Sequence, residues 1–129
     1  MVVAPRTWEH FAITWVMFQT IGIIAWWSML LLLPTMRVWF LIPGSPELNL
    51  LAFLLPDALL GVIAGIVSVI ALHRRHPLAW PALVILTGSM AYAALYCIAV
   101  AIAGGGWLGA ALMGPCLVML PLLCWRLRP

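Results

Sequence analysis

The side chain best placed for chemistry in this sequence is Asp57, a single carboxylate inside a long apolar run. It lies about 16 residues before His73 at the charged end of that run, or roughly 24 Å along a helix. In a hydrocarbon core about 30 Å thick, this depth is just beneath the far headgroups. A charged acid at the bilayer centre costs on the order of 3 kcal/mol, and less near the interface, so Asp57 needs a partner or a proton. We expect it to bind the polar end of a ligand.

Pro56 offers a structural explanation for the same aspartate. Proline is favoured at the first position of a helix, and an acid in the first turn complements the helix dipole. On this interpretation the helix starts at Pro56, and residues 47–55 lie along the outer surface of the membrane. The two interpretations are compatible, because interrupted helices also build sites in membrane proteins.

Two tyrosines are expected to share a site with Asp57. Tyr92 and Tyr96 lie about 18 and about 24 Å from the start of their predicted helix, so Tyr96 is at the depth of Asp57. Ser89, Tyr92 and Tyr96 recur at helical spacing, which indicates a polar stripe that faces the bundle rather than lipid. We therefore predict a hydrogen bond between the Tyr96 phenol and the Asp57 carboxylate. The alternative is that the tyrosines belong to the aromatic belt at the outer interface.

The remaining polar candidates cluster around the first predicted loop. Arg37 is the only cation expected on that side, and it could pair with Asp57 or with Glu47. The alternative is an ordinary solvated ion pair, worth under about 1 kcal/mol. Ligand sites are mostly apolar with a few convergent polar groups. The predicted site accordingly combines such groups with three tryptophans: Arg37, Glu47, Asn49, Asp57, Tyr92 and Tyr96, with Trp26, Trp27 and Trp107.

Other side chains of chemical interest are expected to be structural. Gln19, about half-way along the first predicted helix, is expected to form a hydrogen bond between helices. The three cysteines lie within apolar runs and form no CxxC motif, so they are interpreted as small packing residues. His73 and His76 flank two arginines but lack further metal ligands nearby. We therefore predict no metal and no cofactor.

Four long apolar runs position these residues. The chain has 129 residues, of which 67% are hydrophobic and 7% charged, with a mean hydropathy of +1.20. A soluble domain carries about 25% charged residues, and a helix needs about 20 apolar residues to cross a bilayer. The sequence therefore predicts an all-α fold, a bundle of four transmembrane helices in a single domain over residues 1–129. The expected helices cover residues 8–33, 48–72, 80–103 and 107–125.

The arginines predict the orientation of this bundle. Five of the six lie at the termini and in the central connector, and only Arg37 lies on the opposite side. Positive residues favour the cytoplasmic side, so both termini are expected in the cytoplasm. This asymmetry also explains the net charge of +3, and we expect no nucleic acid partner. The absence of lysine beside many Arg, Ala, Gly and Pro residues is typical of a GC-rich bacterial genome, which favours a bacterial inner membrane.

Small residues and a proline indicate how the helices pack. Gly61 and Gly65 are spaced as GxxxG, and Gly105 and Gly109 repeat that spacing around the start of the fourth helix. Such faces pack either within one chain or between copies, and the sequence leaves both open. Pro115 is expected to kink the fourth helix, and a kink beside small residues often opens a cavity.

A resemblance rests on four segments: Leu55-Pro56-Asp57, Arg74-Arg75-x-Pro77, Tyr92 to Tyr96, and Gly104-Gly105-Gly106-Trp107-Leu108-Gly109. With these segments, residues 55–120 resemble small bacterial four-helix integral membrane proteins of uncharacterised function. The resemblance covers about half of the chain. It implies the architecture and carries over no activity.

Together these features predict a membrane protein that binds a lipid-like or amphipathic small molecule in a cavity open to the outer half of the bilayer. One alternative is an accessory subunit that docks through its GxxxG faces onto a second copy or a larger membrane complex. A second alternative is a membrane enzyme with Asp57 as general base. The expected partners are accordingly membrane lipid or other membrane chains.

Overall fold

The computed structural model describes residues 6–129, which form four long helices. They are α1 (Arg6–Leu32), α2 (Glu47–His73), α3 (Ala79–Ile102) and α4 (Trp107–Arg126), and each is long and apolar enough to cross a membrane. These bounds agree with the predicted ones to within about two residues, which is the usual uncertainty of helix ends. The described residues contain no β-strand. The all-α fold is confirmed, and the four candidate spans indicate a multi-pass membrane protein.

Helix α2 passes through Pro56 and changes its hydrogen-bonding pattern just after it. Helical segments precede the proline from Glu47 onwards, and Pro56 itself has helical backbone angles (φ −56°, ψ −43°). Asp57–Ile63 then forms a π-helix, and the α-helix resumes at Ala64–His73. The interpretation that the helix starts at Pro56 is therefore wrong. π-Helical turns are rare and occur frequently at functional sites, so this segment directs attention to Asp57.

Two glycines let α1 and α3 approach α2 closely. A Cβ atom added to Gly65 would collide with the hydroxyl oxygen of Thr20 in α1. One added to Gly61 would lie 3.2 Å from the side chains of both Ile23 and Met90. The first GxxxG face therefore packs within the chain, which is one of the two options that the sequence left open.

The second glycine pair also packs within the chain, against the loop between α1 and α2. A Cβ atom on Gly105 would lie 2.5 Å from the carbonyl oxygen of Leu41, and one on Gly109 would lie 3.2 Å from the sulfur of Cys97. The loop begins with the 3-10 helix Pro34–Phe40, which ends on the buried ring of Phe40. Because the glycines lack side chains, this loop folds down over the end of the bundle.

The start of α1 and the end of α4 lie on one face of the bundle. Arg75, in the connector after α2, forms an ion pair with Glu9 near the start of α1, with 2.9 Å between nitrogen and oxygen. At the end of α4, the guanidinium carbon of Arg126 lies 5.0 Å from the ring centroid of Trp8. The start of α1 and the ends of α2 and α4 therefore meet, as an even number of spans requires.

Pro115 interrupts α4. The α-helix stops at Met113 and resumes at Cys116. Proline removes a backbone donor and clashes with the preceding turn, so the helical hydrogen-bond pattern is interrupted at the position where the kink is expected. Leu112 and Cys116, on either side of the interruption, border a cavity that α4 shares with α1 and α3.

Candidate functional site

Asp57 is buried and hydrogen-bonded to α1. It is 6% exposed, and its Oδ2 accepts a hydrogen bond of 2.9 Å from Nε1–H of the buried Trp27. Hydrogen bonds to charged groups stabilise a fold by about 1.5–3 kcal/mol. The pair therefore joins the π-helical segment of α2 to α1, and the partner of the carboxylate is an indole.

The predicted hydrogen bond between Tyr96 and Asp57 is not formed in the described structure. Tyr96 instead packs against Phe53, one helical turn before Asp57, with 4.4 Å between ring centroids. Both rings line a cavity of about 30 Å³ beside the carboxylate. A cavity that holds one benzene molecule has a volume of about 150 Å³, so this space is too small for an organic ligand.

Three other predicted site residues do not line the cavity beside Asp57. Tyr92 is 66% exposed and stacks on Phe53, with 6.3 Å between ring centroids. The interpretation of an inward-facing stripe is therefore wrong at Tyr92. Asn49 and Trp107 are exposed as well, and neither lines the cavity beside Asp57. Helical spacing shows which residues share a face, but the direction of that face depends on the packing of the bundle.

Arg37 pairs with Glu47, one of its two predicted partners. The distance between Nη1 and Oε2 is 2.7 Å. In addition, Nε–H of Arg37 donates a hydrogen bond of 2.9 Å to the carbonyl oxygen of Leu30. A basic side chain that binds a carbonyl in the last turn caps the end of a helix. Arg37 therefore holds the loop against the end of α1 and does not reach Asp57.

A larger cavity of about 260 Å³ lies between α1, α3 and α4, and we refer to it as the central cavity. Its other walls come from Phe40 of the loop, Cys97 of α3 and the interrupted part of α4. It borders α1 around Gln19, which is the middle residue of that helix. The α1 wall consists of Trp15, Phe18, Gln19, Gly22, Ile23 and Trp26.

Three residues that line the central cavity carry unpaired polar groups. The indole nitrogens of Trp15 and Trp26 and both amide atoms of Gln19 are buried and have no hydrogen-bond partner among residues 6–129. Gln19 is only 8% exposed. Buried polar groups are paired in the great majority of cases, and an unpaired one costs about 1–3 kcal/mol. The expected bond from Gln19 to another helix is wrong, because both of its amide atoms are buried without a partner.

A spacing along α1 could have revealed this cavity from the sequence. Trp15, Gln19, Gly22 and Trp26 follow one another at intervals of four, three and four residues, so they share one helical face. A Cβ atom added to Gly22 would have no neighbour within 4 Å. A glycine among polar and aromatic residues on one face is therefore a signal of open space, which our sequence analysis did not use.

The central cavity reaches the lipid-facing surface between α1 and α4. Phe18 and Leu112 border it and are 74% and 58% exposed. Gly22, which has no side chain to close the gap, is also exposed. The central cavity is therefore open sideways, between α1 and α4.

The cysteines and histidines do not form a metal site within the described part of the chain. No three His, Cys, Asp or Glu side chains come together there in a way that could hold a metal ion. Cys97 and Cys116 line the central cavity. The sulfur of Cys124 lies 3.0 Å from the hydroxyl of Thr87.

Comparison with known proteins adds no family to this description. No family model, no curated protein and no solved structure matches the chain. The resemblance of residues 55–120 to small bacterial four-helix membrane proteins stays a prediction. Function is therefore inferred from the two cavities and from the groups that line them.

Proposed function

We propose that this protein binds a small, mostly apolar molecule with a polar group in the central cavity. The observation that carries this proposal is that all the unpaired buried polar side-chain atoms found in residues 6–129 belong to residues lining that cavity. Folding alone does not account for them, because an apolar residue in place of Gln19 would avoid the cost of an unpaired amide. These atoms are themselves buried in the cavity wall, so a bound molecule offsets that cost when their side chains turn towards it.

The ligand is proposed to enter from the membrane. The exposed rim at Phe18, Gly22 and Leu112 supports a lateral path. A lipid-like or amphipathic molecule concentrates in the bilayer and is delivered to this rim without leaving it. The polar part of the molecule would then lie beside Gln19, and its apolar part would extend between α1 and α4.

Asp57 is proposed to shape the cavity rather than to contact the ligand. Its hydrogen-bond partner Trp27 packs against Trp26, with 4.8 Å between ring centroids. Trp26 lines both the small cavity and the central cavity. By fixing Trp27, Asp57 therefore also fixes Trp26, which forms part of the wall of the central cavity. The small space beside Asp57 is the reason that we favour binding over an enzyme with Asp57 as general base.

An accessory subunit that docks through GxxxG faces is less well supported. Gly61, Gly65, Gly105 and Gly109 contact other parts of the same chain. These small residues are therefore not free to receive a second copy or a larger complex, and docking would need another surface.

The orientation proposed from the arginines is retained. We infer that the face with the Glu9–Arg75 ion pair is cytoplasmic, because the positive residues concentrate there. The membrane is proposed to be a bacterial inner membrane, on the basis of the amino-acid usage alone.

The test is to fill the central cavity and to measure what the protein retains. The protein is purified in mild detergent, and co-purifying small molecules are identified by mass spectrometry. Gly22→Leu places a side chain in open space at the rim, so we expect it to remove most of the bound molecule while the protein remains folded. Gly88→Leu is the matched control, because Gly88 also has open space around it but does not line the central cavity.

The proposal would be contradicted if Gly22→Leu retained as much bound molecule as Gly88→Leu. It would also be contradicted if the wild-type protein carried only molecules that bind both variants equally, since these would be lipids of the outer surface. Circular dichroism of both variants confirms that the comparison is between folded proteins.

A further inference from the structure

We infer that the polar group of the ligand is a neutral carbonyl, as in a ketone, an ester or an amide. This inference rests on the proposed function and names its ligand class. The two unpaired indoles of Trp15 and Trp26 are donors only, while the amide of Gln19 is both donor and acceptor. The wall of the central cavity therefore holds three unpaired donor groups and one unpaired acceptor group. When these side chains turn towards a bound molecule, an acceptor oxygen satisfies the excess of donors best.

Charge favours a neutral group over an anion. The residues that line the central cavity include no charged side chain. An anion moved from water into such a site would lose its hydration without gaining a cationic partner, so its binding is disfavoured. Asp57 in the adjacent cavity, which shares Trp26 and Phe40 as walls, adds repulsion when it is ionised.

The size of the cavity limits the bound part of the ligand. A cavity of about 150 Å³ holds one benzene molecule. In proportion, the central cavity of about 260 Å³ holds roughly ten non-hydrogen atoms. A phenyl ketone is of this size, whereas a long acyl chain would extend through the rim at Phe18 and Leu112 into the membrane.

The experiment compares four probes with the same number of non-hydrogen atoms in nanodiscs of ether-linked phospholipid. Acetophenone carries the carbonyl, α-methylstyrene replaces its oxygen with CH₂, benzoate is an anion, and α-methylbenzylamine is a cation. Binding is followed by NMR of the ¹⁵N-labelled tryptophan indoles and is compared at equal mole fraction in the lipid. The signals are assigned with Trp15→Phe, Trp26→Phe and Trp107→Phe.

We expect acetophenone to bind roughly tenfold more tightly than α-methylstyrene, which corresponds to one or two ordinary hydrogen bonds. We also expect it to shift the indole protons of Trp15 or Trp26 and not that of Trp107. Equal binding of the ketone and the hydrocarbon would overturn the carbonyl inference while leaving the proposed function standing. Tighter binding of benzoate or of the amine would overturn it as well. Failure of all four probes to bind would overturn both.

Variants separate a recognition role from a structural one. In Gln19→Leu we expect the preference for the ketone to fall to near unity while α-methylstyrene still binds. In Trp107→Phe, whose indole is exposed and does not line the cavity, the preference should stay unchanged. If Gln19→Leu did not fold, Trp15→Phe and Trp26→Phe each remove one donor and should each reduce the preference. Unchanged preference in these variants would overturn the inference.

The carbonyl could come from a free molecule or from the ester of a membrane lipid. Repeating the acetophenone titration in ester-linked nanodiscs distinguishes the two sources. Weaker apparent binding there would support the inference with lipid ester as the competing ligand. Equal binding in both types of disc would support it with a free carbonyl compound as the ligand.

Discussion

Helix α1 meets the rest of the bundle through two different faces. On the face towards α2, polar groups are paired: the Thr20 hydroxyl donates to the carbonyl oxygen of Val16 at 2.7 Å, and Trp27 donates to Asp57 at 2.9 Å. The backbone of α2 approaches closely there because Gly65 has no side chain. We call this face the packed face.

On the face towards α4 the same helix leaves its polar groups unpaired. Trp15, Gln19 and Trp26 line the central cavity, and Gly22 opens it to the surface. We call this the cavity face. Since one helix carries both, neither composition nor depth in the membrane explains the contrast. The packed face contributes stability. On the proposed function, the cavity face gives up part of that stability to form a ligand site.

The largest expected effect comes from adding a side chain at the packed face, at Gly65 of α2, in comparison with adding one at the cavity face, at Gly22 of α1. In Gly65→Leu the new side chain would collide with Thr20, and overpacking of this kind costs about 3 kcal/mol or more. We therefore expect the variant to be severely destabilised or to misfold. Stability is measured by titrating the protein in mixed micelles with sodium dodecyl sulfate and recording the loss of helix.

Gly22→Leu on the cavity face is the matched control for that prediction. Its Cβ atom would have no neighbour within 4 Å, so the free energy of unfolding should change little or rise. Comparable destabilisation by both substitutions would show that the two faces are packed alike, and the distinction between them would be lost.

The next effect concerns the hydrogen bond that joins the packed face to α2. Trp27→Phe leaves the buried carboxylate of Asp57 without its partner, which should cost about 2–3 kcal/mol. Adding Asp57→Leu to the same chain should restore part of the loss, because replacing both members of a buried polar pair is often tolerated. The measurement is a double-mutant cycle by the same unfolding assay. A Trp27→Phe loss no larger than that of the exposed Trp107→Phe would argue against the pair.

Much of the fold was predictable because it depends on local chemistry. The helix bounds follow from apolar runs and from the turn residues between them, and the break at Pro115 follows from a missing backbone donor. The ion pair between Arg37 and Glu47 was one of two options, and proximity along the chain favoured it. Each of these features is decided by residues close in sequence.

The contacts of Asp57 were not predictable in the same way. Its partner lies 30 residues away in the chain, and the rotation of α1 about its axis selects Trp27 over Tyr96. The close approach of α1 and α2 at Gly65 goes with that rotation, and a contact between two helices cannot be read from either helix alone. The central cavity was missed for a related reason, since open space comes from helices that fail to meet. In the sequence, only the spacing of Trp15, Gln19, Gly22 and Trp26 indicated the central cavity.

The smallest effect has the opposite sign from the others and bears most directly on the cavity face. Gln19→Leu removes two unpaired polar atoms, so without ligand we expect the free energy of unfolding to rise by about 1 kcal/mol. If Gln19 were bonded to a neighbouring helix, the same substitution would lower the free energy of unfolding by about 0.6 kcal/mol. The sign of the change therefore distinguishes the two roles. With saturating acetophenone, the stabilisation of the wild-type protein by the ligand should reduce or reverse this difference. A Gln19→Leu protein that is less stable than the wild type in the absence of any ligand would show that the amide is paired, and the two faces of α1 would then not differ.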